Sequence, residues 1–128
     1  MLKIITIGIP LSFLVSAAIG GIAYERLSAD RTKWARAVVY NALGGELDAQ
    51  RKMADCYKVG CAYGARDPVY ECAWRQVILQ EDGHKKLSAD VNAERQSCAA
   101  VRPSDHTFVN MARKEIDHQM NELQGKKP

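Results

Sequence analysis

Hydrophobic and polar positions divide this chain into two unlike parts. From Ile4 to Tyr24 no residue is charged, with Lys3 just before the run and Glu25-Arg26 just after it. Beyond Tyr24 the apolar residues recur at three- and four-residue steps, the period of a helix with one buried face. Leu27, Trp34, Val38 and Leu43 mark such a face over residues 25–43, and Gly44-Gly45 ends it. A second helix is predicted over 46–59, with Leu47, Met53 and Tyr57 inward. After a turn, Asp67 is placed to cap a third helix with Pro68 in its favoured first position. Val69, Ala73, Val77 and Tyr70, Trp74, Ile78 give that helix two adjacent apolar rows, so it should be the most buried element, ending by Gly83. Ser88 is expected to open a fourth helix reaching about Ala100. Ser104 should cap a last one, on which Phe108, Val109, Ala112, Ile116, Met120 and Leu123 form the apolar stripe. No alternating strand pattern is present, so the fold class is all-α.

The uncharged run is 21 residues long. At 1.5 Å per residue a helix of that length spans roughly 31 Å, the thickness of a bilayer's hydrocarbon core. Two readings fit: a transmembrane anchor, or a signal peptide cleaved at a small-residue site such as Gly21-Ile22-Ala23. The run exceeds the usual 7–15-residue core of a signal peptide. Gly8, Ser12, Ser16 and Gly20 also recur every four residues, on one helical ridge. Such a ridge of small residues lets another transmembrane helix approach closely. Pro10 is expected to kink the segment. The preferred organisation is therefore a transmembrane anchor at 1–24, a juxtamembrane helix and linker at 25–45, a helical domain at 46–124, and a disordered basic tail at 125–128.

Charge and cysteines disagree about orientation. Arg26, Arg31, Lys33 and Arg36 follow the run, which alone would keep the carboxyl side in the cytoplasm. Cys56, Cys61, Cys72 and Cys98 argue for an oxidising compartment, because four cysteines close together in a small domain read as disulfides. Cys56 to Cys61 is a five-residue step, unlike the tight pair of a zinc knuckle. Three connectivities are possible. The preferred one joins Cys72 to Cys98 and Cys56 to Cys61; the runner-up pairs Cys61 with Cys72. On this basis the helical domain is placed in the periplasm of a bacterial cell, on a single-pass inner-membrane protein.

Composition narrows the function. Apart from Lys3, 17 basic and 15 acidic residues are interleaved, as on solvated helices, and no basic cluster suggests nucleic acid. His84, His106 and His118 form no recognisable site, and His106 and His118 stand some 18 Å apart on one helix, too far to share a metal. No nucleophile elbow, phosphate loop or haem-attachment motif is present. No enzyme, cofactor, metal or small-molecule substrate is therefore expected.

Within residues 49–83, Met53, Ala54, Tyr57 and Gly60 are followed by Asp67, Ala73 and Trp74. An apolar residue, a small residue, then Tyr-x-x-Gly, and an Asp opening a second helix with a small residue and Trp, resembles one Sel-one-like repeat. These are helix–turn–helix units related to tetratricopeptide repeats. The match covers about a quarter of the chain, and the loop carries Gly60-Cys61-Ala62-Tyr63-Gly64 where the family has Gly-x-Gly. Glu71 also stands where a small residue is common. The resemblance implies a helical hairpin used in protein–protein scaffolding. A lone repeat needs neighbours to cover its apolar faces, so the flanking helices must act as caps.

The expected function is a non-catalytic, membrane-tethered accessory subunit. Its anchor would pack against a larger membrane complex in the lipid bilayer, a respiratory or other energy-transducing assembly being one candidate. Its head would cover or bridge the periplasmic face of that complex. The alternative is a cleaved, secreted binding module of the Sel-one-like kind.

Overall fold

A computed structural model of the chain describes residues 32–61, 64–81 and 87–126. The anchor proposed for 1–24, with Gly8, Ser12, Ser16 and Gly20, lies outside the described residues, as do the start of the juxtamembrane helix, Gly83, His84 and the last two residues of the tail. The described chain is helical: α1 over residues 32–43, α2 Leu47–Val59, α3 Pro68–Gln80, α4 Ser88–Ala99 and α5 His106–Leu123, with a 3₁₀ turn at Pro103–Asp105 before α5. Among the described residues, no helix is long and apolar enough to cross a membrane.

The bundle is built around α3. Its start is fixed by Asp67, whose Oδ1 accepts from the backbone amides of Val69 (2.9 Å) and Tyr70 (3.3 Å). Pro68 fills the first helical position, where its missing N–H costs nothing. The two rows expected inward do turn inward: Ala73, Trp74, Val77 and Ile78 are buried, and Val69 and Tyr70 lie half-buried against them. Helices α2, α4 and α5 each pack on α3, which is why its apolar surface is broad rather than a narrow stripe.

The α2–α3 hairpin closes through a short, tightly bonded turn. Gly60 takes a left-handed φ of 85° to end α2. Tyr57 O accepts from the Asp67 amide at 2.8 Å, and Cys61 and Gly64 exchange backbone hydrogen bonds. A Cβ on Gly64 would sit 3.0 Å from Tyr57 Cε1, so the loop lies close over that ring and a side chain at residue 64 would have to push it aside. Tyr57 in turn stacks on Tyr70, centroids 5.2 Å apart.

Two disulfides form, in the pairing preferred from the sequence. Cys56–Cys61 closes the end of α2 and Cys72–Cys98 ties α3 to α4, with Cα separations of 5.1 and 4.8 Å. The second matters more because α4 buries only Asp90 and Ser97. With no buried apolar side chain, α4 is held by directed contacts. Ser97 Oγ donates to Glu71 Oε1 at 2.7 Å, and Arg51 grips both Asp90 oxygens at 3.0 and 2.6 Å.

The hydrogen bonds from Arg51 hold the Asp90 carboxyl below its ordinary range, against the opposing effect of burial. A depressed folded-state pKa stabilises the protein above the unfolded value of about 3.9 and ceases to do so as pH falls through the folded value. Stability is therefore expected to decline on acidification below about pH 4, and Asp90→Asn should lower it by about 1.5–3 kcal/mol at neutral pH. Chemical unfolding at pH 7 and pH 3 checks this: the difference between wild type and variant should shrink at the lower pH.

Helix α1 meets the bundle through small residues, Ala35, Val38 and Ala42. Its end is a glycine cap: Gly45, at φ 95°, donates to Ala42 O, and the Glu46 amide donates to Asn41 O. Gln50, with no exposed surface, donates from Nε2 to Ala42 O (3.1 Å) and to Glu81 Oε2 (2.9 Å). Gln124 Nε2 donates to Leu43 O at 3.0 Å. The ends of α1, α3 and α5 and the start of α2 are thus joined in one polar knot.

Three sequence expectations need correction. Trp34, assigned to the inward face of its helix, is 51% exposed, because the close-packing residues are Ala35, Val38 and Ala42. Phe108, assigned to the α5 stripe, is 56% exposed, and Leu123 is also exposed; Val109, Ala112, Ile116 and Met120 carry the burial. Ser104 caps no α-helix: it lies inside the Pro103–Asp105 turn, where Asp105 Oδ2 accepts from Arg102 Nε at 2.8 Å, and α5 starts two residues later.

Candidate functional site

The most distinctive surface feature is an apolar trough along α1. Its larger section, about 420 Å³, is lined by Thr32, Ala35, Arg36, Val39, Tyr40, Leu43 and, from the end of α5, Leu123. Val39 and Leu43 also line an adjoining section of about 260 Å³. That section reaches Tyr57 and Trp74 of the hairpin and Glu115, Ile116 and Gln119 of α5. The trough exists because α1 contacts the core through alanines on one side only, leaving the flank with Val39 and Leu43 incompletely covered. Tyr40, 63% exposed, and Arg36 form its rim. A groove of this chemistry can take apolar side chains from another surface, with Tyr40 able to contribute both ring area and a hydroxyl.

Residues singled out in the repeat do not form a second surface cluster. Met53, Ala54, Ala73 and Trp74 are buried in the core, Tyr57 is half-buried, and Gly60 and Asp67 shape the turn. Met53, Tyr57 and Trp74 also line the inner section of the trough. Trp34 stands away from it: the helical step puts residue 34 on nearly the opposite side of α1 from residues 36, 39 and 43.

Polar residues that sequence reasoning overlooked lie in the seam between α2, α3 and α4. Arg51 pairs with Asp90 and, at 3.2 Å, with Asp48. Buried Arg75 donates from Nη2 to Asp55 Oδ1 at 2.7 Å. The Arg51 guanidinium is stabilised in its charged form by the hydrogen bond to Asp90. The signal available was the run Asp48, Arg51, Asp55, Lys58, charged residues at three- and four-residue steps along one edge of α2. His106 is exposed at the start of α5, and His118 Nε2 lies 3.3 Å from Glu122 Oε1 on its surface. Among the described residues, no three His, Cys, Asp or Glu side chains are grouped to hold a metal ion. Compared with known protein families, characterised proteins and solved structures, the chain matches none.

Proposed function

We propose that this chain is a non-catalytic accessory subunit, tethered to a membrane by residues 1–24 and carrying an adaptor head outside it. The observation that carries the reading is a juxtaposition. A 21-residue uncharged run with the Gly8/Ser12/Ser16/Gly20 ridge is followed, within eight residues, by a helix whose flank is an open apolar trough. The first feature suits packing against helices in lipid. The second suits an apolar element of the same partner just outside it. The two disulfides support an oxidising compartment such as the periplasm for the head. The α2–α3 hairpin, with its Tyr57-x-x-Gly60 turn and Asp67 cap, supports the Sel-one-like reading and hence a scaffolding role.

Mild-detergent affinity purification with mass spectrometry tests this. Ser12→Leu/Ser16→Leu should release the chain from its complex, since two bulkier side chains block close approach on the ridge. Tyr40→Asp should weaken association about tenfold by placing a charge on the trough's apolar rim, while leaving the melting temperature unchanged because Tyr40 is exposed. Co-purification unaffected by either change would sink the proposal.

The second reading is a cleaved, exported binding module. Gly21-Ile22-Ala23 favours it as a cleavage site. Intact-mass measurement separates the two: a mature chain beginning near Tyr24 removes the anchor and leaves the trough as the working surface.

A further inference from the structure

The charged seam between α2, α3 and α4 is closed at one end and open at the other. At the closed end Arg51 is matched by Asp90 and Asp48. At the open end lies a pocket of about 210 Å³ lined by Lys58, Arg66, Arg75, Glu71, Gln96 and Ser97, with two alanines of α4 and its cap completing the wall. Three of these side chains are cations; against them stand Glu71 in the wall and Asp55, paired with Arg75, so one positive charge is left over.

How those charges are compensated is the informative point. Arg75 is only 7% exposed, yet its one carboxylate partner, Asp55, faces largely into solvent, and Arg75 Nε is buried without an acceptor. Lys58 and Arg66 have no carboxylate within ion-pair distance among the described residues. Glu71, the wall's single anionic group, already accepts from the Ser97 hydroxyl. A buried guanidinium left partly unsatisfied beside two unpaired cations is an unfavourable arrangement on its own. An anion entering the pocket offsets the repulsion among the three cations.

We infer that the open end of the α2–α3–α4 seam is a binding site for a small oxyanion, a phosphate group or a short dicarboxylate. A planar guanidinium with nearby ammonium and amide donors suits either oxyanion. Gln96 supplies a neutral donor at the rim. Glu71 is the built-in competitor, opposing any anion that enters. This site is separate from the trough, since none of its residues lines it.

The full chain in non-ionic detergent, labelled for amide NMR, is titrated with inorganic phosphate, with succinate and with sodium chloride at matched ionic strength. Saturable shifts around Lys58, Arg66 and Gln96 with an oxyanion, absent with chloride, are expected; phosphate alone or both oxyanions saturating would identify the source of the anion. Lys58→Ala/Arg66→Ala, at two exposed positions, should weaken binding about tenfold. Glu71→Gln, which keeps an acceptor for Ser97, should tighten it about two- to fivefold. Shifts that merely follow ionic strength, an affinity unchanged in the double variant, or weaker binding in Glu71→Gln would each overturn the assignment.

Discussion

Replacing Cys72 and Cys98 together by alanine is expected to lower the free energy of unfolding by about 3.5 kcal/mol, the chain-entropy value for a loop closed across 26 residues. The same change at Cys56 and Cys61, five residues apart, should remove about 2 kcal/mol. Urea unfolding of the two double variants measures both. The larger loss has a local cause as well as an entropic one. Helix α4 contributes no buried apolar side chain, so once the crosslink is gone the Ser97–Glu71 and Arg51–Asp90 contacts are its main directed ties among the described residues. In the Cys72/Cys98 variant the α4 amides should therefore lose hydrogen-exchange protection before those of α3 or α5. Equal losses from the two variants, or uniform loss of protection, would show that α4 has an anchor of another kind.

Gln50→Glu should be comparably damaging, by about 3–5 kcal/mol at neutral pH. The substitution is nearly isosteric, so packing is not the reason. It places a carboxylate at a position with no exposed surface, facing the Ala42 carbonyl and the Glu81 carboxylate that Gln50 Nε2 now serves as donor. Burial and the like charge both raise the folded-state pKa of the new group. Its penalty is then full above that raised value and fades as pH falls towards the unfolded value of about 4.3. Thermal melts across pH 4–8 should show the variant regaining stability on acidification, whereas Gln50→Leu, lacking a titrating group, should show no such added slope.

Much of the helical layout was legible because it rests on local chemistry. Asp67-Pro68 is a cap and first-turn pair whose effect is confined to four residues, and the double apolar row after it leaves α3 no exposed side large enough to misplace. The disulfide pairing followed from the same layout, since antiparallel α3 and α4 bring residues 72 and 98 together. What was missed depends on neighbours. Trp34 outranks Ala35 and Ala42 in hydrophobicity, yet the alanines are buried because their small size permits α1 to lie close to the bundle. Phe108 adjoins Val109, and only the direction from which α3 approaches decides between them. Gln50 looks like a surface residue until the carbonyls at the end of α1 are brought over it. The trough and the cationic pocket are gaps between elements, and no spacing along the chain records the size of a gap.

Gly45 is the covalent turn between α1 and α2, while Ala35, Val38 and Ala42 and the bonds to the Ala42 and Leu43 carbonyls fix the same helix from the side. The Gly45 backbone, at φ 95°, is one that a residue with a Cβ adopts only under strain. The angle between α1 and the rest of the head is accordingly set twice, once in the chain and once by packing. A bulkier residue at Gly45 could not re-aim α1 without drawing Ala35, Val38 and Ala42 out of the interior, so helix and head turn as one piece.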